Sequence, residues 1–225
     1  MSDLTTSAAT EHGSVLTYDA ADFDFPGVVA GILGVDDLET LHRLRRRHDP
    51  AHHDQDSDDH AIFYREYDAV RGLYERFLRE WILPLYGEDL AVQRVPTFRV
   101  HRPGGVAVSS FHTDAQYNHQ PATMNYWLPL TRAFGTNSMW IEEAPGTGRY
   151  GPAVVSPGEV FRFDAIRNRH GNFPNDTDVS RVSFDFRAMP LRDFVDHGLS
   201  TVNAHRRMDL EGYYRRLFAD GAFGA

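Results

Sequence analysis

The 225-residue sequence contains no cysteine, which excludes disulfides, thiol nucleophiles, iron–sulfur clusters and Cys-based zinc sites. Lysine is missing as well, since all 23 basic residues are arginines. No Schiff base, lysine general base or P-loop lysine is therefore available. Positive charge is also in short supply, and the formal net charge of −9 argues against a nucleic-acid-binding surface. The same charge favours encounter with cationic ligands.

Long apolar runs are absent too. No stretch approaches the roughly 18–20 apolar residues of a membrane span, and the first 14 residues lack the basic and apolar regions of a signal peptide. These absences predict a cytoplasmic protein without membrane or nucleic-acid partners. What the sequence does contain is 12 histidines, which are the natural metal ligands in a chain without cysteine.

The residue pattern predicts a single domain over residues 15–225 after a disordered tail at residues 1–14. Residues 15–90 are expected to be largely helical, with a short helix after Asp37 and the clearest helix over 61–83, where aromatic residues recur at spacings of three and four. Between residues 91 and 190 the period changes to two, and Pro and Gly turns separate six to eight short strands. We therefore expect an antiparallel double-stranded β-helix, or jelly roll, with C-terminal helices over 191–225.

Three residues in the predicted strands have the spacing of a metal site. His112 and Asp114 are two apart, so on a strand both side chains point to the same face. His170 follows after several more strands and is the candidate third ligand. Two imidazoles and one carboxylate form the facial triad of non-haem Fe(II) oxygenases, which leaves coordination positions open. Asp114 also argues against a halogenase, which needs a small residue there so that chloride can bind.

A candidate anion-binding arginine follows the distal histidine in the sequence. Arg181 lies 11 residues after His170 and shares a strand face with Ser183. A buried arginine requires an anion, because an unpaired buried charge is very costly, and its planar fork suits a carboxylate. A dicarboxylate bound to Fe(II) and Arg181 would leave the cluster near neutral, although an ordinary ion pair, for example with Asp185, is the alternative.

Together these motifs resemble the Fe(II)/2-oxoglutarate-dependent dioxygenases, and the register from His170 to Arg181 resembles the phytanoyl-CoA-hydroxylase-like branch. Further segments are similar to oxygenases of aminoglycoside and carbohydrate antibiotic clusters, such as the hygromycin B orthoester-forming and streptomycin-cluster oxygenases. These segments are YNH at 117–119, NYWLPLT at 125–131, NSMW at 137–140, HGN at 170–172 and RVSFDFR at 181–187. The resemblance covers about residues 95–190.

The resemblance implies Fe(II) on His112, Asp114 and His170, with O₂ and 2-oxoglutarate as co-substrates. It implies that Arg181 and Ser183 hold the 2-oxoglutarate carboxylate remote from the metal. Asn125 and Asn172 are further candidate contacts for 2-oxoglutarate, with a core amide and a turn role as their respective alternatives.

Candidate substrate-binding residues come from the same strands and the loops beside them: Arg99, His101, Tyr117, His119 and Trp140. Arg99 and His101 could bind substrate or co-substrate, whereas a packed tyrosine, an exposed histidine and a core tryptophan are the alternatives for Tyr117, His119 and Trp140. Glu142, Glu143 and Asp164 are weaker candidates for binding substrate amines. The His- and Asp-rich run at 48–60 is either a solvated loop or a metal-binding tract.

The sequence thus predicts an oxygenase that oxidises a C–H bond of a carbohydrate or aminoglycoside intermediate, by hydroxylation or by oxidative cyclisation. Two alternatives remain open at this point. One is a cupin-type metal enzyme that does not use 2-oxoglutarate, and the other is a non-catalytic carbohydrate-binding jelly roll. The oligomeric state is left open by the sequence.

Overall fold

The N-terminal helices form one layer of the fold. The computed structural model describes residues 6–10, 13–44, 57–105, 111–202 and 205–224. Helix α1 spans Phe25–Leu33, where the Asp24 side chain accepts from the Gly27 amide and Gly34 ends the helix in the left-handed region at φ 66°. A 3₁₀ helix follows at Leu38–Arg43. Helices α2, Asp58–Arg65, and α3, Asp68–Phe77, come next, and α3 continues through a π-helical turn at Leu78–Ile82 into a 3₁₀ turn at Leu83–Leu85.

Eleven strands are found in the described part of the chain. They are β1 Thr6–Thr10, β2 Gly13–Thr17, β3 Leu90–Gln93, β4 Thr97–His101, β5 Met124–Pro129, β6 Trp140–Glu142, β7 Tyr150–Pro152, β8 Glu159–Phe163, β9 His170–Gly171, β10 Arg181–Pro190 and β11 Tyr214–Leu217. The larger sheet has the order β1-β2-β8-β5-β10-β3-β11, and β4 pairs with the first half of β10. The smaller sheet has the order β7-β6-β9.

All these strand pairs are antiparallel. Between the two sheets, Trp127 and Phe163 of the larger sheet share a buried cluster with Ile141 of the smaller one. Two antiparallel sheets packed face to face, with helices outside them, confirm the predicted jelly-roll fold class.

Strand β10 organises both the core and the interior of the molecule. Its apolar side chains, including Phe184 and Phe186, pack against the helices, where Phe63 of α2 contacts Phe184 at 5.4 Å and Tyr74 of α3 contacts Phe186 at 5.5 Å between ring centroids. The alternate residues of β10, Arg181, Ser183, Asp185 and Arg187, take the opposite face by the period of two and are also buried. One strand therefore separates an aromatic core from a polar interior.

Three expectations for the elements need correction. Thr6–Thr10 pairs with Gly13–Thr17, so the disorder predicted for residues 1–14 is wrong in that part, while residues 1–5 and 11–12 lie outside the described residues. The helix predicted over 61–83 is interrupted at Glu66 and Tyr67, because α2 and α3 cover different residues of the sheet. Helix α1 has no clear apolar period, and the sequence did not predict it.

The C-terminal segment also differs from the prediction. In the described residues after 190, a 3₁₀ turn at Leu191–Asp193 and strand β11 replace the expected helices. Strand β11 pairs with β3, from Tyr214 opposite Gln93 to Leu217 opposite Leu90. The reason is tertiary, since β3 offers an unpaired edge whose backbone groups β11 satisfies. Within the described part of the chain, no helix has both the length and the apolar character needed to cross a membrane.

Candidate metal centre and adjoining cavity

The three predicted ligands come together at the open end of the two sheets. The Nε2 atoms of His112 and His170 lie 3.9 and 3.6 Å from Oδ1 of Asp114, and the candidate ligand atoms all lie within 4.8 Å of one another. His112 and His170 also form an antiparallel bridge, in which the backbone N–H of each donates to the carbonyl of the other at 3.0 and 2.9 Å. Backbone pairing therefore sets the spacing of the two imidazoles.

Asp114 reaches the site in a way that differs from the expectation. The sequence placed His112 and Asp114 on one strand, but Asp114 begins a 3₁₀ helix, Asp114–Tyr117, and residues 106–110 lie outside the described residues. Thr113 caps this helix, and its backbone N–H donates to Oε1 of Gln116 at 3.0 Å. The Asp114 amide donates to the Ala165 carbonyl at 2.7 Å. Thr113 is still extended, and the chain turns only from Asp114 onward, so the carboxylate reaches the same place as a strand neighbour would.

The second ring nitrogen of His170 is already engaged. Its Nδ1 lies 3.1 Å from the backbone carbonyl of Asn168, so Nδ1 carries the proton and Nε2 is left to bind a metal. The ring is buried and packs edge-on against Phe163 at 5.2 Å between centroids. The orientation of this ligand is therefore fixed before any metal binds.

Arg187 binds the Asp114 carboxylate oxygen that faces away from the two histidines. Its Nε donates to Oδ2 of Asp114 at 2.8 Å, and its Nη1 donates to Asp185 at 3.0 Å. Asp185 forms a second ion pair with Arg99, so it does not serve as the alternative partner of Arg181. Because Arg187 occupies Oδ2, the Oδ1 atom of Asp114 faces the two histidines, as a monodentate metal ligand should.

The charges of neighbouring groups set the protonation states of the candidate metal ligands. Burial alone raises the pKa of Asp114, but the adjacent charge of Arg187 holds that pKa well below its usual range. The pKa of Asp185 is likewise lowered, since the charges of Arg99 and Arg187 outweigh its burial. Burial lowers the pKa of His170, although Asp114 acts against that change. The site therefore offers an ionised carboxylate and a neutral imidazole, which are the forms that bind metal.

The predicted anion clamp lies at the start of β10. Arg181 is 1% exposed, and its Nε donates to the Asn137 carbonyl at 3.0 Å while its Nη1 donates to the Ser183 hydroxyl at 2.9 Å. The guanidinium carbon lies 5.6 Å from the ring centre of Trp127, whose Nε1 donates to Ser183 at 3.2 Å. The structure thus brings Arg181 and Ser183 together as expected.

Two buried polar atoms, one opposite Arg187 on β5 and one beside the clamp, support an absent polar ligand. Oδ1 of Asn125 and Oγ of Ser138 are buried and have no hydrogen-bond partner among the described residues. Asn172 donates from Nδ2 to the Ser138 carbonyl at 2.8 Å, and Asn125 lies opposite Arg187 in the β5–β10 ladder. Because buried polar groups are normally satisfied, this region fits a bound co-substrate with several polar atoms. The donor set fits a metal and 2-oxoglutarate together.

A cavity of about 390 Å³ opens beside the metal ligands His112 and Asp114. Three of the predicted substrate-binding residues, Arg99, Tyr117 and His119, line this cavity. The Tyr117 ring packs edge-on against His112 at 4.7 Å between centroids, which places Tyr117 at the metal end of the cavity. This volume is large enough for a small-molecule substrate.

The two other predicted substrate residues do not line this cavity. His101 is fully buried, with Nε2 3.2 Å from the Gly105 carbonyl, and burial followed by the charge of Arg181 lowers its pKa to about 3. Trp140 donates to the Gly135 carbonyl at 3.1 Å and packs on Phe173. His101 thus lies on the Arg181 side of the interior, and Trp140 lies in the smaller sheet.

The His- and Asp-rich run is only partly described, since residues 45–56 lie outside the described part of the chain. Within its last residues, His60 lines the cavity, whereas buried Asp59 forms an ion pair with Arg102. Among the described residues, only His112, Asp114 and His170 form a cluster with the arrangement of a metal site.

Sequence reasoning did not identify Arg187, Gln93 and Tyr213 as site residues. Arg187 also donates to Oε1 of Gln93 at 3.4 Å, and the Tyr213 hydroxyl donates to the same oxygen at 2.8 Å. For Arg187 a signal existed, because it continues the period-two series that contains Arg181 and Ser183. Tyr213 had no such signal, since it comes from the C-terminal segment that was expected to be helical.

Comparison with known proteins identifies one relative by sequence and several by fold. No protein-family model matches the chain. The streptomycin biosynthesis protein StrG of Streptomyces griseus is 38% identical over 194 residues, which cover 84% of this chain and 90% of that protein. This finding confirms the expected relationship to a streptomycin biosynthesis protein.

Two solved structures show the fold. CytC3 with Fe(II) and α-ketoglutarate is 13% identical, with a TM-score of 0.52 over 94% of this chain and 86% of that chain. EvdO2 from Micromonospora carbonacea var. aurantiaca is 14% identical, with a TM-score of 0.50 over 83% of this chain and 93% of that chain.

Proposed function

The chain belongs to the family of the streptomycin biosynthesis protein StrG. From this premise we propose that it is an Fe(II)/2-oxoglutarate-dependent oxygenase that oxidises a C–H bond of a small biosynthetic intermediate. The intermediate is a carbohydrate or an aminoglycoside precursor, and the outcome is hydroxylation or oxidative cyclisation. The convergence of His112, Asp114 and His170 on one point carries the proposal. The fold likeness to CytC3, whose structure contains Fe(II) and α-ketoglutarate, supports the choice of cofactors.

His112, Asp114 and His170 would hold Fe(II) through two imidazole nitrogens and Oδ1 of Asp114. Fe(II), with O₂ and 2-oxoglutarate bound, supplies the oxidising power for an unactivated C–H bond. The chain contributes the geometry. With only three protein ligands, a bound metal would keep positions for O₂ and 2-oxoglutarate. A cupin-type metal enzyme that does not use 2-oxoglutarate needs no buried arginine for a dicarboxylate, and a carbohydrate-binding jelly roll needs no open metal positions.

Arg181 and Ser183 would hold the carboxylate of 2-oxoglutarate that is remote from the metal. The guanidinium plane of Arg181 is fixed by the Asn137 carbonyl and the Ser183 hydroxyl, so its orientation is set in advance. Asn125 and Asn172 are proposed as further polar contacts for the co-substrate. Burial of the clamp excludes water and strengthens the pairing of opposite charges.

Oxygen-dependent formation of succinate from 2-oxoglutarate tests the proposal. The wild-type protein should form succinate, while His170→Ala should lose both iron binding and turnover. Asp114→Ala should lose turnover and keep part of the iron binding, because the two histidines remain. Arg181→Gln should keep the iron and raise the 2-oxoglutarate requirement at least a hundredfold, since loss of a buried charged partner costs about 3–5 kcal/mol. His197→Ala, at an exposed position outside the site, is the matched control. Succinate formation by His170→Ala at the wild-type rate would contradict the assignment.

A further inference from the structure

The described wall of the cavity is cationic although the whole chain is acidic. Arg99, Arg187 and Arg206 all line the cavity. Among the described lining residues the carboxylate is that of Asp114, which already binds Arg187 and belongs to the metal triad. Arg99 and Arg187 are paired with the buried carboxylates of Asp185 and Asp114, so the unbalanced positive charge of the described wall is that of Arg206. The net charge of −9 is carried by other surfaces.

The acidic residues considered for binding substrate amines lie elsewhere. The carboxylate of Glu142 accepts from the Gly148 amide at 2.7 Å, and Glu143 pairs with Arg149 at 2.8 Å. Asp164 accepts from the backbone amides of Ile166 and Arg167. None of the three acidic residues lines the cavity. A protonated amine would thus meet guanidinium groups there and no available carboxylate among the described residues.

Arg206 faces solvent at the mouth of the cavity, and its guanidinium has no ion pair or hydrogen bond among the described residues. Its backbone N–H donates to Oγ1 of Thr201 at 3.0 Å, and Thr201 also lines the cavity. Because the Thr201 oxygen accepts in this contact, its own O–H is available to donate to a ligand. Arg206 and Thr201 thus offer a charged and a neutral donor side by side.

Tyr64 adds a third donor beside the arginines. Its hydroxyl accepts from the Phe98 amide at 3.0 Å, so its own proton can be donated into the cavity, which Tyr64 lines. Desolvation of this hydroxyl and the charge of Asp185 raise the pKa of Tyr64, while the hydrogen bond from Phe98 and the charges of Arg99 and Arg206 act in the opposite direction. Tyr64, Arg99 and Arg206 all line the same cavity.

We propose that Arg206, Arg99, Tyr64 and Thr201 form a subsite for an oxyanion, so that the substrate is a carbohydrate bearing a phosphate or carboxylate. This inference rests on the proposed function, since the same cavity leads to the metal ligands. With the anion at the mouth and Tyr117 and His112 at the inner end, the substrate is oriented with its reacting carbon toward the metal. Converging guanidinium and hydroxyl donors are the usual partners of phosphate and carboxylate groups.

Calorimetric titration with four matched ligands tests the subsite: glucose, glucose 6-phosphate, glucuronate and glucosamine. The titrations use metal-free protein and are repeated with Mn(II) and 2-oxoglutarate present, so that phosphate binding at the metal or at Arg181 is distinguished. Glucose 6-phosphate, glucuronate or both should bind at least tenfold more tightly than glucose and glucosamine, which is about 1.4 kcal/mol. Comparison of these two ligands identifies the anion.

Arg206→Gln should remove this preference, whereas Arg216→Gln should retain it. Arg216 is an exposed arginine on β11 outside the cavity, so the control makes the same change in net charge. The subsite is refuted if glucosamine binds as tightly as the anionic sugars, if no ligand exceeds glucose, or if Arg206→Gln behaves as wild type. Because binding is measured without turnover, a failure of succinate formation would refute the oxygenase proposal and leave this result standing.

Discussion

Arg187 connects the candidate metal ligand Asp114 to a wider network of buried groups. It donates to Asp114, Asp185 and Gln93, and Tyr213 supports it from the C-terminal segment with its hydroxyl 3.3 Å away. The two carboxylates and the two guanidinium groups of Arg187 and Arg99 balance in charge. Such an arrangement stabilises the fold only while every member keeps its partner.

Replacement of Arg187 by glutamine should therefore weaken both the fold and the metal site. Two buried carboxylates would lose a charged partner, and we expect a loss of about 3–5 kcal/mol in the free energy of unfolding. Arg187→Lys should recover part of the stability but less of the iron affinity, because an ammonium cannot bridge two carboxylates with the geometry of a guanidinium fork. Urea denaturation and iron titration measure the two effects. Equal iron affinity in Arg187→Gln and wild type would contradict a positioning role.

At the scale of elements, helix α2 packs against the outer face of strands β4 and β10, and the inner face of β10 carries site residues. Phe63 of α2 stacks on Phe98 of β4 at 4.2 Å with an interplanar angle of 12° and also contacts Phe184 of β10. All three rings are fully buried. Packing on the outer face of the sheet therefore fixes the strand whose inner face carries the proposed clamp and Arg187.

Truncation of Phe63 to alanine should lower the free energy of unfolding by about 3–5 kcal/mol, through lost burial and the resulting cavity. Glu66→Ala, at an exposed position at the end of the same helix, is the control and should change stability by less than about 0.5 kcal/mol. Urea denaturation monitored by tryptophan fluorescence measures both. A loss below about 1 kcal/mol for Phe63→Ala would show that α2 does not support the sheet in this way.

At the scale of the whole molecule, buried neutral histidines couple stability to pH. The pKa of His101 is about 3, because burial and the charge of Arg181 both disfavour its protonated form. Burial and the charge of Arg187 lower the pKa of His119 to about 3 as well. The unfolded chain binds protons on these residues at higher pH than the folded chain does, so stability must fall as the pH falls from about 6.5 toward 3.

We expect the wild-type protein to lose stability between pH 6.5 and pH 5, by up to about 2 kcal/mol for each such histidine. His101→Gln should show a correspondingly smaller loss over the same interval, although its stability at pH 7 is reduced by the altered contact with Gly105. His197→Gln, at an exposed position, should keep the wild-type slope. Urea unfolding at a series of pH values tests this, and parallel slopes for wild type and His101→Gln would contradict it.

Much of this organisation follows from local sequence. The period-two segments predict β4, β5, β8 and β10, because alternation of polar and apolar residues reflects the two faces of a strand. The same alternation places Arg181 and Ser183 together on the inner face of β10. His112, Asp114 and His170 were identifiable because imidazole and carboxylate are the ligand types that remain in a chain without cysteine, and the motif resembles a known family.

Other features were decided by the tertiary structure. Strand β11 forms because β3 leaves an edge that needs backbone partners, and no local pattern shows which segment will supply them. The partner of Asp114 is Arg187, 73 residues away, and a 3₁₀ helix that begins at Asp114 replaces the continuation of the expected strand. The sign of the cavity charge is likewise a tertiary property. Net charge sums over the whole surface, whereas Arg99, Arg187 and Arg206 come from distant segments and meet only when the chain folds.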